Sequence, residues 1–154
     1  MKLLILSVGK PKNPLFKFQV EEYYRRVSGA ISCDWQIIPD VSGKKPEAGS
    51  IAEEGSGLLR KLNDRDSFVL LDEAGETMTS VRFSEWLFGK LRIVPGRLVL
   101  AVGGPFGVSL PVRERAEMKI SLSKMTLPHE MCLLLLFEQV YRAVTIERGG
   151  RYHH

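Results

Sequence analysis

Three short apolar runs, almost free of polar side chains, constrain the fold of this chain more than any other feature. They are Leu3–Val8, Phe68–Leu71 and Leu98–Val102. A strand with one face in water alternates apolar and polar residues, whereas a strand covered on both faces is apolar throughout. The runs therefore predict strands buried in a sheet that has helices on both sides. Two further strands are predicted at Trp35–Pro39 and Lys119–Ser121.

Segments with apolar residues at helical spacing lie between the predicted strands. They are, in chain order, Leu15–Val27, Ile51–Leu62, Val81–Leu91, Pro111–Met118 and His129–Ile146. This alternation predicts an α/β fold with a mainly parallel sheet flanked by helices. In the last helix, Met131–Phe137 is apolar on nearly every side, which indicates burial all round or packing against a second copy of the chain.

The length of 154 residues predicts a single domain over residues 1–154, with no appended RNA-binding domain. A net charge of +4 is compatible with a polyanionic partner and does not establish one. Cys33 and Cys132 are far apart and predict free thiols in a reducing compartment, hence a cytoplasmic protein. No apolar run approaches the roughly 18 residues of a membrane span.

Three loops are expected at the carboxyl ends of the predicted strands, where open α/β sheets bind ligands. They are Asp72–Gly75, Gly103–Gly107 and Ser121–His129. Gly103 and Gly104 would let the backbone approach a ligand closely. The sequence there is neither G-x-G-x-x-G nor a P-loop, so it predicts no dinucleotide or phosphate cradle. A plain strand-to-helix turn is the alternative.

The segment Leu122–Leu127 combines Leu and Met with hydroxyl side chains and contains no glycine. Such a segment would wrap an apolar heterocycle while its backbone groups contact the edges of the ring. The alternative is an ordinary loop in which Ser and Thr cap the next helix. His129, beside Pro128 at the predicted helix start, is interpreted as a hydrogen-bonded structural histidine.

The C-terminal tail, Arg148–His154, carries side chains suited to proton transfer. We interpret it as a mobile arm in which His153 or His154 exchanges a proton near neutral pH. A frayed terminus is the alternative. Arg142 follows Glu138 by four residues, a spacing that predicts an intrahelical ion pair. A substrate-binding or catalytic role is the alternative for this arginine.

Several short motifs follow one another along the chain. They are Leu71-Asp72, Gly103-Gly104-Pro105 with Gly107, Leu122-Ser123, Thr126-Leu127-Pro128-His129, Tyr141-Arg142-Ala143 and Tyr152-His153. Their order resembles the rRNA large subunit methyltransferase H family of the SPOUT superfamily, over essentially the full chain. Two departures are Gly150-Arg151, where family tails often have His-Pro, and Phe106, at a position that is often smaller or polar.

The resemblance implies a homodimeric, S-adenosylmethionine-dependent enzyme that methylates N3 of a pseudouridine in 23S rRNA, expected within the ribosome. It also implies a C-terminal trefoil knot and no metal. The cofactor-binding residues that it implies are Leu71, Gly103, Gly104, Leu122, Ser123, Lys124, Met125, Thr126 and Leu127. The catalytic candidates are Tyr152, His153, His154 and Arg142. A tRNA methyltransferase and a non-catalytic nucleotide-binding domain are the alternatives.

The chemistry of that reaction gives the tail residues distinct roles. The acceptor N3 carries a proton between two carbonyl groups, so a positioned base would make it a better nucleophile. His153 or His154 is predicted to take this proton, in the site of the same or the neighbouring subunit. Arg142 or Arg151 is predicted to stabilise the developing negative charge or to hold a phosphate.

Overall fold

The fold, given by a computed structural model that describes residues 1–153, is a sheet of five strands with helices on both faces. The strands are β1 (Leu3–Val8), β2 (Cys33–Ile38), β3 (Ser67–Thr77), β4 (Leu98–Val102) and β5 (Met118–Ser121). The helices are α1 (Pro14–Ser28), α2 (Glu47–Leu59), α3 (Ser80–Ile93), α4 (Leu110–Arg115) and α5 (His129–Glu147). A single turn of 3-10 helix follows at Arg151–His153.

The five strands are all parallel, in the order β2-β1-β4-β3-β5, which confirms the predicted parallel sheet. Every residue of β1 and β4 is buried, as their uninterrupted apolar sequences predict. Helices α1, α3 and α5 cover one face of the sheet, and α2 and α4 cover the other. The knot implied by the resemblance stays a prediction.

Residues 72–75, predicted to form a loop, lie within β3, so that prediction is wrong. Leu71 and Glu76 both pair with Ile120 of β5, and the residues between them form a bulge in the strand. A Cβ atom on Gly75 would lie 2.6 Å from the backbone of Lys119, so only a glycine fits there. The bulge keeps the end of β3 in the sheet while it displaces residues 72–75 from the regular ladder.

Helix α5 is the longest helix and connects the sheet to the C-terminal tail. Leu133, Leu136 and Phe137 are completely buried, whereas Met131 is 37% exposed. Burial is therefore not uniform round the helix, although its sequence is apolar on nearly every side. Within residues 1–153, neither α5 nor any other helix combines the length and apolarity needed to cross a membrane.

Candidate active site

A cavity of about 430 Å³ opens at the carboxyl edge of the sheet, between the ends of β3, β4 and β5 and the start of α5. Its walls are residues 71–73, 102–105, 107–108, 113, 122–123, 125–129 and 132. The volume lies within the roughly 300–1,000 Å³ typical of sites for cofactors and other small molecules. Its position is the one at which parallel α/β sheets bind their ligands.

The cavity brings together eight of the nine residues predicted to bind a cofactor. They are Leu71, Gly103, Gly104, Leu122, Ser123, Met125, Thr126 and Leu127. The ninth, Lys124, does not line the cavity, because its Nζ atom donates a hydrogen bond to the carbonyl oxygen of Gly75 at 3.0 Å. Lys124 therefore anchors the 122–127 loop, and the binding role of the other eight stays a prediction.

A hydrogen bond connects the bulge of β3 to the 122–127 loop at the cavity. The hydroxyl of Thr126 donates to Oε2 of Glu73 at 2.9 Å. Within the loop, the backbone N–H of Met125 donates to Oγ of Ser123 at 2.9 Å. These bonds fix the loop without any regular secondary structure.

Another part of the cavity wall is the glycine turn, residues 103–107. The N–H of Gly107 donates to the carbonyl oxygen of Gly104 at 3.0 Å, and Gly107 has a φ of 89°, in the left-handed region that favours glycine. A Cβ atom on Gly103 would come within 2.5 Å of Cγ1 of Val108. Phe106 is 42% exposed and does not line the cavity.

A partly buried ion pair, which the sequence did not indicate, lies at the cavity wall. Oδ2 of Asp72 lies 2.5 Å from Nη1 of Arg113, and Oδ1 of Asp72 accepts the N–H of Ala74 at 2.9 Å. Burial alone would raise the pKa of Asp72. The two hydrogen bonds and the positive charge of Arg113 outweigh burial and lower the pKa, so the carboxylate is ionised at neutral pH.

His129 also lines the cavity, and its predicted role as a hydrogen-bonded structural histidine is wrong at Nε2. This atom is buried and has no hydrogen-bond partner within residues 1–153. Burial lowers the pKa of His129, although the charges of Asp40 and Glu130 act in the opposite direction. The imidazole is therefore neutral at neutral pH.

Cys132 lies beside His129 on the same cavity wall. Burial raises the pKa of the Cys132 thiol to about 11, so it stays protonated and is a poor nucleophile at neutral pH. Both Cys132 and Cys33 are free thiols, as predicted. Within residues 1–153, no group of three His, Cys, Asp or Glu side chains is placed to hold a metal ion.

The tail folds back onto its own chain and docks between α1 and α5. The hydroxyl of Tyr152 lies 2.9 Å from the hydroxyl of Tyr23 and donates to Oε1 of Glu138 at 3.3 Å. The ring of Tyr152 packs edge-on against Tyr141, at 4.8 Å between centroids. Burial and these neighbours raise the pKa of Tyr152 far above neutrality, so it is a neutral phenol.

Arg142 belongs to the same docked cluster. Its Nη2 and Nε atoms donate to Oε1 of Glu138 at 2.6 and 3.0 Å, which confirms the intrahelical pair predicted from the sequence. Its guanidinium also lies over the ring of Tyr152, 4.8 Å from the centroid. Arg142 is thus tied to the tail and not to the cavity.

The cavity and the tail lie at different levels of α5 in one chain. His129 and Cys132 line the cavity at the start of the helix, whereas Tyr152 docks at Glu138, nine residues after His129 and about 13 Å further along the axis. Within residues 1–153, no residue after 132 lines the cavity. His153 lies in the 3-10 turn, and His154 lies outside the described residues.

A family model identifies the general class of this molecule. Residues 1–153 match the model of a family described as "Predicted SPOUT methyltransferase". A solved structure, the SpoU methyltransferase AviRb from Streptomyces viridochromogenes in complex with the cofactor AdoMet, has a TM-score of 0.47 and 14% sequence identity. That comparison covers 97% of this chain and 58% of the other.

Curated relatives then identify the particular family. A protein named Ribosomal RNA large subunit methyltransferase H from Parabacteroides distasonis is 42% identical, over 100% of this chain and 99% of its own. The protein of the same name from Porphyromonas gingivalis is 43% identical, with the same coverage. This chain therefore belongs to the rRNA large subunit methyltransferase H family of SPOUT methyltransferases, as its motifs predicted.

Proposed function

We propose that this protein is a homodimeric, S-adenosylmethionine-dependent methyltransferase that acts on N3 of a pseudouridine in 23S rRNA. The proposed substrate is the assembled ribosome in the cytoplasm. The observation that carries the proposal is the cavity at the carboxyl edge of the sheet, formed by the glycine turn and the 122–127 loop. The relatives that match this chain over its full length are named for an activity on rRNA.

The residues round the cavity fit the proposed cofactor. Leu71, Val102, Leu122 and Leu127 provide apolar walls for a flat heterocycle, and the backbone of the 122–127 loop provides donors and acceptors beside them. Asp72 adds an ionised carboxylate at the same wall. S-adenosylmethionine would supply, when bound, a methyl group already activated by its attachment to a sulfonium.

Proton transfer in this proposal belongs to the tail. Tyr152 is a neutral phenol and Arg142 is a fixed cation, so neither is suited to accept the proton of N3. That role falls to the imidazole of His153 or His154. Arg142, held by Glu138, would stabilise the negative charge that develops between the two carbonyl groups of the base.

The separation of the tail from the cavity supports a site shared between two subunits. Helix α5 carries cavity residues at its start and the tail at its end. In a two-fold symmetric dimer with antiparallel α5 helices, the end of each helix lies near the start of the other. The tail of one subunit would then complete the cavity of its partner, which a single chain does not do.

Exposed apolar side chains near the start of α5 support this dimer. Leu15 and Phe18 on α1 are 77% and 64% exposed, and Met131 on α5 is also exposed. The starts of the two helices are adjacent, because Oε1 of Glu130 accepts the N–H of Asn13 at 3.1 Å. Burial of this surface against a second copy would contribute the favourable free energy of association.

Methyl transfer from labelled S-adenosylmethionine tests the proposal directly. Ribosomes, free 23S rRNA and tRNA, all taken from cells that lack the modification, serve as three substrates. Label in ribosomes, at N3 of a pseudouridine by mass spectrometry of the digested RNA, is the expected result. Equal labelling of free rRNA would contradict the ribosomal substrate, labelling of tRNA alone would favour a tRNA enzyme, and no labelling would favour a non-catalytic domain.

A further inference from the structure

The backbone of Gly104, on the cavity wall, lies directly over the carboxyl group of a buried glutamate. Glu54 of α2 is 2% exposed, and a Cβ atom on Gly104 would come within 2.3 Å of its Oε2 atom. The φ angle of Gly104 lies outside the left-handed region, so its backbone conformation would accept an alanine. Gly104 is therefore a glycine because of the space that Glu54 occupies.

The carboxyl group of Glu54 is held in place by the connection between β2 and α2. Its Oε1 atom accepts the N–H of Val41 at 3.0 Å, in the connection between β2 and α2. Its Oε2 atom is buried. Burial raises the pKa of Glu54, and the negative charge of Asp40 and a side-chain hydrogen bond with Asp40 raise it further, against the hydrogen bond from Val41.

We propose that Glu54 is a positioning residue of the cofactor site, whose carboxyl group supports Gly104 from beneath. It sets how far the glycine turn extends into the cavity and acts through Gly104, without contact with the ligand. The inference rests on the proposed function, because it takes the cavity as the site of S-adenosylmethionine. Once the carboxyl group is removed, the nearest atom to a Cβ on Gly104 is Cγ1 of Val8 at 3.2 Å, which a small shift accommodates.

A double-mutant cycle on cofactor affinity tests this role. The Kd for S-adenosylmethionine is measured by isothermal titration for the unsubstituted protein, Gly104→Ala, Glu54→Ala and the double variant. Gly104→Ala should raise the Kd roughly tenfold or more, because overpacking forces the turn upward. Glu54→Ala should also raise the Kd, because the turn loses its support. In the Glu54→Ala background, the added methyl group should cause no further loss or should restore affinity.

Two further variants test whether Glu54 supports Gly104 through the volume of its side chain. Glu54→Gln keeps the size of the side chain and should bind the cofactor within about twofold of the unsubstituted protein, a difference of only a few tenths of a kcal/mol. Glu53→Ala is the matched control on the same helix, where the side chain is 45% exposed and pairs with Lys45. It should leave the Kd unchanged. If Glu54→Ala does not fold, the Gln and Gly104→Ala variants decide the question.

Several outcomes would overturn the inference. Three results would each exclude support of Gly104 by the volume of the Glu54 side chain. The first is additive losses of affinity in the double variant. The others are unchanged affinity in either single alanine variant and a large loss of affinity in Glu54→Gln. Failure of the unsubstituted protein to bind S-adenosylmethionine would contradict the proposed function as well. Additive losses among variants of a protein that does bind it would contradict only the role of Glu54.

Discussion

At the scale of single residues, the histidines at the end of the chain are the proposed bases. Replacing His153 and His154 together by Ala removes both imidazoles that would accept the proton of N3. A general base contributes about 10²–10⁴-fold to a rate, so single-turnover methylation should slow by roughly a hundredfold or more. The Kd for S-adenosylmethionine should not change. An unchanged methylation rate would show that neither imidazole is the base.

Lys124 permits a second test at this scale, because it anchors the 122–127 loop without lining the cavity. Lys124→Met removes the hydrogen bond to Gly75, whose net contribution should be about 0.5–1.5 kcal/mol. The Kd for S-adenosylmethionine, measured by isothermal titration, should therefore rise by up to roughly tenfold. Lys119→Met, an exposed substitution on β5, is the control. Equal affinities for the two variants would contradict the anchoring role.

The sequence predicted the local parts of the site and missed the parts assembled from distant segments. Gly103, Gly104 and the 122–127 loop stood out because their composition is unusual over a few residues. The ion pair of Asp72 and Arg113 joins residues 41 positions apart, and no local pattern reveals it. The contact of Glu54 with Gly104 likewise depends on how α2 packs against the sheet.

At the scale of secondary structure elements, the docking of the tail on α1 and α5 determines where His153 lies. Tyr23→Phe removes the hydroxyl that lies 2.9 Å from the hydroxyl of Tyr152 and should weaken docking by about 0.5–1.5 kcal/mol. We expect a lower kcat for methylation with an unchanged Kd for S-adenosylmethionine, because only the tail is loosened.

Tyr24→Phe is the matched control for that substitution. Tyr24 lies on the same helix and packs through its ring against Trp35 and Phe137, at 5.7 Å between centroids in each case. Phenylalanine keeps both ring contacts, so kcat should not change. A Tyr23→Phe variant with the kcat of this control would contradict a positioning role for the docked tail.

The strands were predicted best where the sequence is apolar throughout, because burial on both faces then decides the structure. The apolar runs of β1 and β4 gave the observed bounds because every residue in them is buried. The length of β3 was underestimated, since residues 72–75 are Asp, Glu, Ala and Gly, a composition typical of a loop. Their place in the strand depends on pairing of Glu76 with Ile120, a contact made far along the chain. The docked position of the tail depends in the same way on tertiary contacts.

At the scale of the whole molecule, an ion pair joins Asp66 and Arg97, the residues that directly precede β3 and β4, at the end of the sheet opposite the cavity. Asp66, 3% exposed, accepts hydrogen bonds from Nη2 of Arg97 at 2.5 Å and from the backbone N–H groups of Asn63 and Arg97. Burial alone would raise the pKa of Asp66, and these bonds together lower it. The ionised carboxylate therefore stabilises the folded protein at neutral pH.

Asp66→Asn should lower the free energy of unfolding at pH 7 by about 3 kcal/mol, towards the low end for a buried ion pair because Arg97 is partly exposed. A lowered carboxyl pKa stabilises the fold above the ordinary pKa of aspartate, and the effect is lost as pH falls through the lowered value. Urea unfolding of the two proteins at pH 7 and in acid should give curves that converge in acid. Asp64→Asn, an exposed control, should match the unsubstituted protein.

The central claim at this scale is that one subunit's cavity works with the other subunit's tail. Mixed dimers test it, with Gly103→Ala in one chain and deletion of residues 151–154 in the other, purified through two different tags. Each homodimer should be inactive in ribosome methylation. The mixed dimer should recover about half of the unsubstituted activity, because one of its two symmetric sites has an intact cavity and an intact partner tail. A mixed dimer as inactive as both homodimers would contradict the shared site.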